Sequence, residues 1–350
     1  FHFGKMNLHV SKGVPLVALL LWLITAAALV TTDPESGLIR VISIGEAYYP
    51  ETRVPLLLRA DPRIRYQPVP TNWYEGTFAS VGAGREDALK FIRQYMPRTY
   101  ERLIKTYDVT LLSDFDVDVI THTQFMWMER SVREDDMGLA KYEMNYDPAH
   151  WHTFDLFRQS AVYPAFPTDL IKGKTLRGIG IYATVLPDGK PHPMLDLPGM
   201  KNNRVPVDIG SGKCGYENPR SGSTVVTRFV PEDEPAIIIW DYGKGQSLVS
   251  VPGHDTIDWS ISAEWPYTAD LRINQIWYLA GLEIPREAVL LHELRVRSMT
   301  YSAERTAAVS LIEFVEKFGA LTQELYNDLL DVDAVKEEAD RLYLTGRFAE

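Results

Sequence analysis

The feature that most constrains this chain is a series of short, unbroken apolar runs separated by stretches with helical spacing. "LIRVISIG" (Leu38 to Gly45), "YDVTLLSDFD" (Tyr107 to Asp116) and "GLAKYEMN" (Gly138 to Asn145) have the length of strands. They lack the alternation of a strand with one wet face, so both of their faces are expected to be covered. Between the first two, Ala88, Leu89, Ile92, Tyr95 and Met96 share one helical face within residues 85–105, and Pro97 marks a break. Another helix is expected near residues 123–133. Buried strands alternating with helices predict an α/β fold with a parallel sheet covered on both sides.

Further along, "IRYQPVP" (Ile64 to Pro70) reads as a short strand. "STVVTRFV", together with "AIIIW" and "SLVSV" joined by the turn Gly243-Lys244-Gly245, supplies antiparallel edge strands. Residues Pro187 to Gly222, rich in Pro, Gly and Asn, form a long loop of the kind that is functional or disordered. "ADLRINQIWYLAGLEIP" is a helix ending at Gly281, and amphipathic helix runs from Ala303 onward. The expected organisation is a leader over 1–37, an α/β domain over 38–300 and a helical extension over 301–350.

Composition excludes some functions. A net charge of −11 with no Lys/Arg stripe argues against nucleic-acid binding. Cys214 is the sole cysteine, so neither an intrachain disulfide nor a Cys-based zinc cluster can form. The stretch Val14 to Val30 is uncharged, follows Lys12 and precedes polar "TTDPES". It reads as a membrane anchor or a cleavable signal, with a buried core helix as the plainer alternative. The first two readings place the remaining domain outside the cytoplasm.

The segments "RVISIGE", "YDVTLLSDFD", "SVREDDMGLAKY", "PAIIIWDYGKGQSLVSVPGHD" and "RINQIWYLAG", in that order, resemble the class I glutamine amidotransferase-like superfamily, in particular its membrane-associated branch. The resemblance covers roughly residues 39 to 300. It implies a flavodoxin-like three-layer sandwich with ligands beyond the carboxyl ends of the strands. Active relatives carry a nucleophile, usually Cys, on a glycine-flanked elbow after a strand. The matching place here, Tyr142 to Asn145, holds neither Cys nor Ser. Glu143 is nearby, but a carboxylate attacks amides poorly. Cys214 lies in the loop "GSGKCGYENP", without an evident base to activate it.

The leading expectation is therefore an amidotransferase-like domain without its nucleophile, which binds a small molecule or protein partner through Glu46, Asp114, Tyr142 and His254. The alternative is a hydrolase of sugars or amides with altered chemistry, for which Glu143, His254 and Asp255 are the catalytic candidates. His150 and His152, joined by His254, could ligate zinc or iron, although scattered loop histidines are usually surface residues. Asp114, Asp116 and Asp118 resemble the start of a calcium loop, but the glycine and distal glutamate of that loop are missing. Trp73, Tyr74, Trp127, Trp151, Trp240, Trp259 and Trp265 fall mostly at strand ends or in loops, where they can pack loops or stack on sugars. No cofactor is expected. The acidic C-terminal helices offer a surface for oligomers.

Overall fold

The computed structural model describes residues 37–45, 58–71, 84–113, 115–142, 151–175, 180–184, 186–200, 215–230, 233–251 and 265–350. The strands are β1 (Ile39–Gly45), β2 (Ile64–Pro70), β3 (Val109–Ser113), β4 (Gly138–Tyr142), β5 (Thr168–Thr175), β6 (Gly180–Ala183), β7 (Gly215–Pro219), β8 (Thr224–Val230), β9 (Pro235–Tyr242) and β10 (Gly245–Ser250). Eight of them form one sheet in the order β2-β1-β3-β4-β10-β9-β8-β6, and β5 pairs with β7 separately.

The apolar runs become the middle of this sheet. β2, β1, β3, β4 and β10 are successively parallel, in registers such as Val41 against Val109 and Leu111 against Ala140. β9, β8 and β6 continue it antiparallel. The expected antiparallel edge is present, with one difference: β10 lies in the interior, between β4 and β9. The turn joining β9 to β10 follows from Gly243, whose φ of +68 suits the first central position of a two-residue hairpin loop. A Cβ there would also meet the Arg133 carbonyl oxygen at 2.4 Å. Lys244 N–H donates to that same oxygen, tying the hairpin to the end of a helix.

The helices are α1 (Arg85–Tyr95), α2 (Tyr100–Thr106), α3 (His122–Asp135), α4 (Trp151–Gln159), α5 (Thr268–Leu279), α6 (Ala288–Glu316) and α7 (Gln323–Leu344). The expected break at Pro97 separates α1 from α2. The α3 helix starts in a capping box, with Thr121 and Gln124 each holding the other's backbone N–H. Both α3 and α5 pack on β4 and β10. At the end of α5, Leu282 N–H reaches the Trp277 carbonyl and Gly281 N–H the Tyr278 carbonyl. With Gly281 at a φ of +67, this is the Schellman stop that the glycine announced.

The α6 helix begins at Ala288, well before the expected Ala303, so the boundary drawn at residue 300 falls inside a helix. Among the described residues no helix is long and apolar enough to cross a membrane, and Val14 to Val30 lies outside them.

Candidate functional site

From β1 the chain passes to β2 on one side and to β3 on the other, so the strand order reverses between β1 and β3. In open α/β sheets ligands gather at the carboxyl ends of strands beside such a reversal. Here those ends are Gly45 and Ser113, and they nearly touch. A Cβ on Gly45 would lie 1.7 Å from the Ser113 carbonyl oxygen, and its φ of +124 is one that other residues rarely adopt.

One strand further along, Tyr142 closes β4 and is 2% exposed. Its hydroxyl donates to Gln275 Oε1 of α5 at 2.9 Å. Arg272, one turn earlier on the same helix, donates from Nη1 to Ser250 Oγ at 2.6 Å and to Gln275 Oε1 at 3.3 Å. Its guanidinium carbon stands 5.1 Å from the Tyr142 ring centroid. Burial pushes the Tyr142 phenol up to about 12, against the pull of Arg272, so it remains a neutral donor. Lys141, its neighbour in β4, is buried too.

Among the buried side-chain atoms without a hydrogen-bond partner are Gln275 Nε2 in this group and Thr71 Oγ1 just beyond β2. Buried polar atoms are normally satisfied, so both stand out. Tyr142, Gln275, Arg272 and Ser250 form a buried polar floor where α5 crosses the carboxyl ends of β4 and β10.

The expected site residues are only partly placed. Tyr142 is part of the floor. Glu46, Asp114, Glu143, His150, His254, Asp255 and Cys214 lie outside the described residues, as does the side chain of His152 in α4. Asp118 is engaged by Arg85 Nε at 2.9 Å, and Asp116 is buried at the start of a short 3-10 turn, Val117–Val119. Among the described residues no group of three His, Cys, Asp or Glu could hold a metal ion.

Sequence reasoning missed Arg272 and Gln275. A signal was present: Asp270, Arg272, Asn274 and Gln275 crowd into a helix that the sheet buries almost all round. Buried charges and amides must be partnered, so polar residues on that helix mark a network.

A second network was also missed. Arg295 of α6 donates to Asp61 Oδ2 at 2.8 Å and to Asp270 Oδ1 at 2.6 Å. Tyr343 of α7 donates to the same Asp61 oxygen at 2.8 Å, and His292 Nδ1 lies 2.7 Å from Asp270 Oδ2. Burial works against the Arg295 charge, but Asp61, Tyr343 and Asp270 outweigh it and hold the group protonated. This network ties α6 and α7 to the α/β body.

The fold and floor define a class: an open, mostly parallel α/β domain with a helical hairpin tied to its side. No family model and no curated protein matches the chain, so the amidotransferase-like resemblance rests on the quoted segments alone. Among solved structures, a cytoplasmic protein of Salmonella typhimurium is similar at 15% identity and a TM-score of 0.48, covering 69% of this chain and 98% of its own. A second cytoplasmic protein, from strain LT2, gives 14% and 0.45 over 69% and 99%. A carbohydrate deacetylase gives 12% and 0.39 over 68% and 32%. Overlaps this loose assign neither family nor activity.

The expected location, exported or membrane-anchored with the domain outside the cytoplasm, is corrected here. Among the described residues no helix is long and apolar enough to cross a membrane. That location is dropped.

Proposed function

We propose that the chain is a flavodoxin-like, three-layer domain of the glutamine amidotransferase-like kind that lacks the nucleophile and binds a ligand or partner at the carboxyl edge of its sheet. The observation that carries this reading is Tyr142. At the strand end where active relatives turn into the nucleophile elbow, this chain has a buried phenol bonded to Gln275. Such a group anchors a floor and attacks nothing. The strand reversal at Gly45 and Ser113 supports a ligand above that floor, as does the free amide nitrogen of Gln275.

Two measurements test the proposal. Incubated with glutamine, the purified chain and its Cys214→Ala variant should release no ammonia above a buffer blank. Release that disappears in Cys214→Ala would restore a working amidotransferase. In native mass spectrometry against a metabolite extract, the wild-type chain should retain a small-molecule adduct that Gln275→Leu loses. If no adduct depends on Gln275, binding at this edge is refuted.

A further inference from the structure

A separate cleft lies at the opposite edge of the sheet. Its position is fixed by Gly138, the first residue of β4, where a Cβ would meet the Leu279 carbonyl oxygen at 2.4 Å. The end of α5 therefore sits at the amino-terminal edge, away from Gly45 and Ser113. Here the Pro-rich loop around His192 faces the segment that leaves α5, enclosing about 500 Å³. Small-molecule sites commonly measure about 300–1,000 Å³. At about 30 Å³ for each water of the liquid, the space equals about seventeen waters, enough for one or two sugar rings.

The walls are rings. Tyr278 meets His192 edge to face at a centroid distance of 5.2 Å, and Pro193 and Pro285 line the same space. His192 Nδ1 accepts from Met194 N–H at 3.3 Å, which leaves the ring's proton on Nε2. Desolvation holds the imidazole below its usual pKa, so it stays neutral near pH 7. Burial raises the Tyr278 phenol, with the Asp241 charge adding to the effect, so it too stays neutral. The interior thus offers two uncharged hydrogen-bonding groups beside flat apolar faces. Around them stand Lys190 and Arg286, matched in number by Asp196 and Glu283, and this balance favours neither a net anion nor a net cation.

We infer that this cleft binds an uncharged saccharide of one or two pyranose rings. The C–H faces of a pyranose pack on tyrosine and proline rings, while its hydroxyls both donate and accept. The tyrosine hydroxyl and the imidazole N–H supply matching groups, and the rim carboxylates accept the outer hydroxyls. This site does not depend on the carboxyl-edge proposal, because it shares no residue with that floor.

Saturation-transfer NMR on the full chain tests the inference. The probes are glucose, mannose, galactose, N-acetylglucosamine and their β-1,4-linked dimers, with free glutamate and inorganic phosphate as charged comparators. At least one saccharide should receive saturation on its ring protons. Tyr278→Phe keeps the stacking face but loses one hydrogen bond, so affinity should fall about five- to tenfold. Tyr278→Ala should abolish the signal. If Tyr278→Ala does not fold, Tyr278→Phe decides alone. Three results overturn the inference: no saccharide saturated, saturation indifferent to Tyr278→Phe, or a Tyr278-dependent response confined to glutamate or phosphate.

Discussion

Along β1, Ile39, Val41, Ile42 and Ile44 are wholly buried, while the turn between α6 and α7 leaves Leu321 99% exposed. Leu311, Phe314 and Phe318 near that turn are exposed as well. The two regions are held by different forces. The sheet gains its stability from apolar area removed from water on both faces. The hairpin buries little apolar surface at its tip and attaches at its base, through Arg295, Asp61, Asp270 and Tyr343. Between its helices, Arg305 pairs with Asp333 at 2.8 Å, but both ends are solvent-accessible and such pairs contribute little. Directional bonds at the buried base, beside Leu291 and Tyr343 in the core, therefore do for the hairpin part of what area does for the sheet.

That contrast can be broken at either end, and the sheet should give the larger effect. Gly45→Ala would force a methyl onto the Ser113 carbonyl at a φ of +124, with Phe115 Cβ also at 2.9 Å. Neither strand can yield without shifting the parallel register, so a loss beyond about 4 kcal/mol is expected by urea unfolding. A loss under 1 kcal/mol would mean that the two strand ends are not locked together.

The hairpin end comes next. Arg295, Asp61 and Asp270 have side chains only 4%, 0% and 1% exposed, so Arg295→Met takes from two buried carboxylates the arginine they share. The expected cost is about 3–5 kcal/mol. Proteolysis should then cut first within α6 and α7, ahead of the sheet. Equal protection of both regions in the variant would show that the hairpin is held by packing, contrary to the comparison.

The sequence made some of this legible and left some of it hidden, for physical reasons. Continuous apolar runs have one good solution, a strand buried on both faces, and β1, β3, β4 and β10 adopt it. Gly243 and Gly281 marked their turn and helix end because φ above zero is a local requirement. Pairing is not local. The turn at Gly243 joins β9 to β10 but carries nothing about the second neighbour of β10, which proved to be β4. The bond from Arg295 to Asp61 spans 234 residues, beyond any pattern read along the chain. Arg295 also interrupts the apolar face of α6 beside Leu291, which hid the start of that helix. Of the candidate site, Tyr142 was named from the sequence, whereas its partners Gln275 and Arg272 became evident only when α5 was laid across β4.

The smallest expected effect concerns a charge that the body of the domain buries without a close partner, unlike the paired charges at the hairpin base. Asp136 caps α3 at a φ of +62, and burial raises its carboxyl from 3.8 to about 6, partly offset by Lys244. Its raised pKa means that the folded state holds the proton more tightly than the unfolded chain does. The associated stability is full below about pH 4 and is lost as pH rises through 6. Asn accepts the same left-handed backbone and cannot ionise, so Asp136→Asn isolates the charge. A shift of about two units corresponds to roughly 3 kcal/mol, but the residue is only partly buried and water screens it, which leaves about 1 kcal/mol. Urea midpoints should therefore show Asp136→Asn more stable than wild type at pH 8, with the gap closing toward pH 4.5. A gap of equal size at both pH values would assign the effect to the cap geometry and remove the unpaired charge from the comparison.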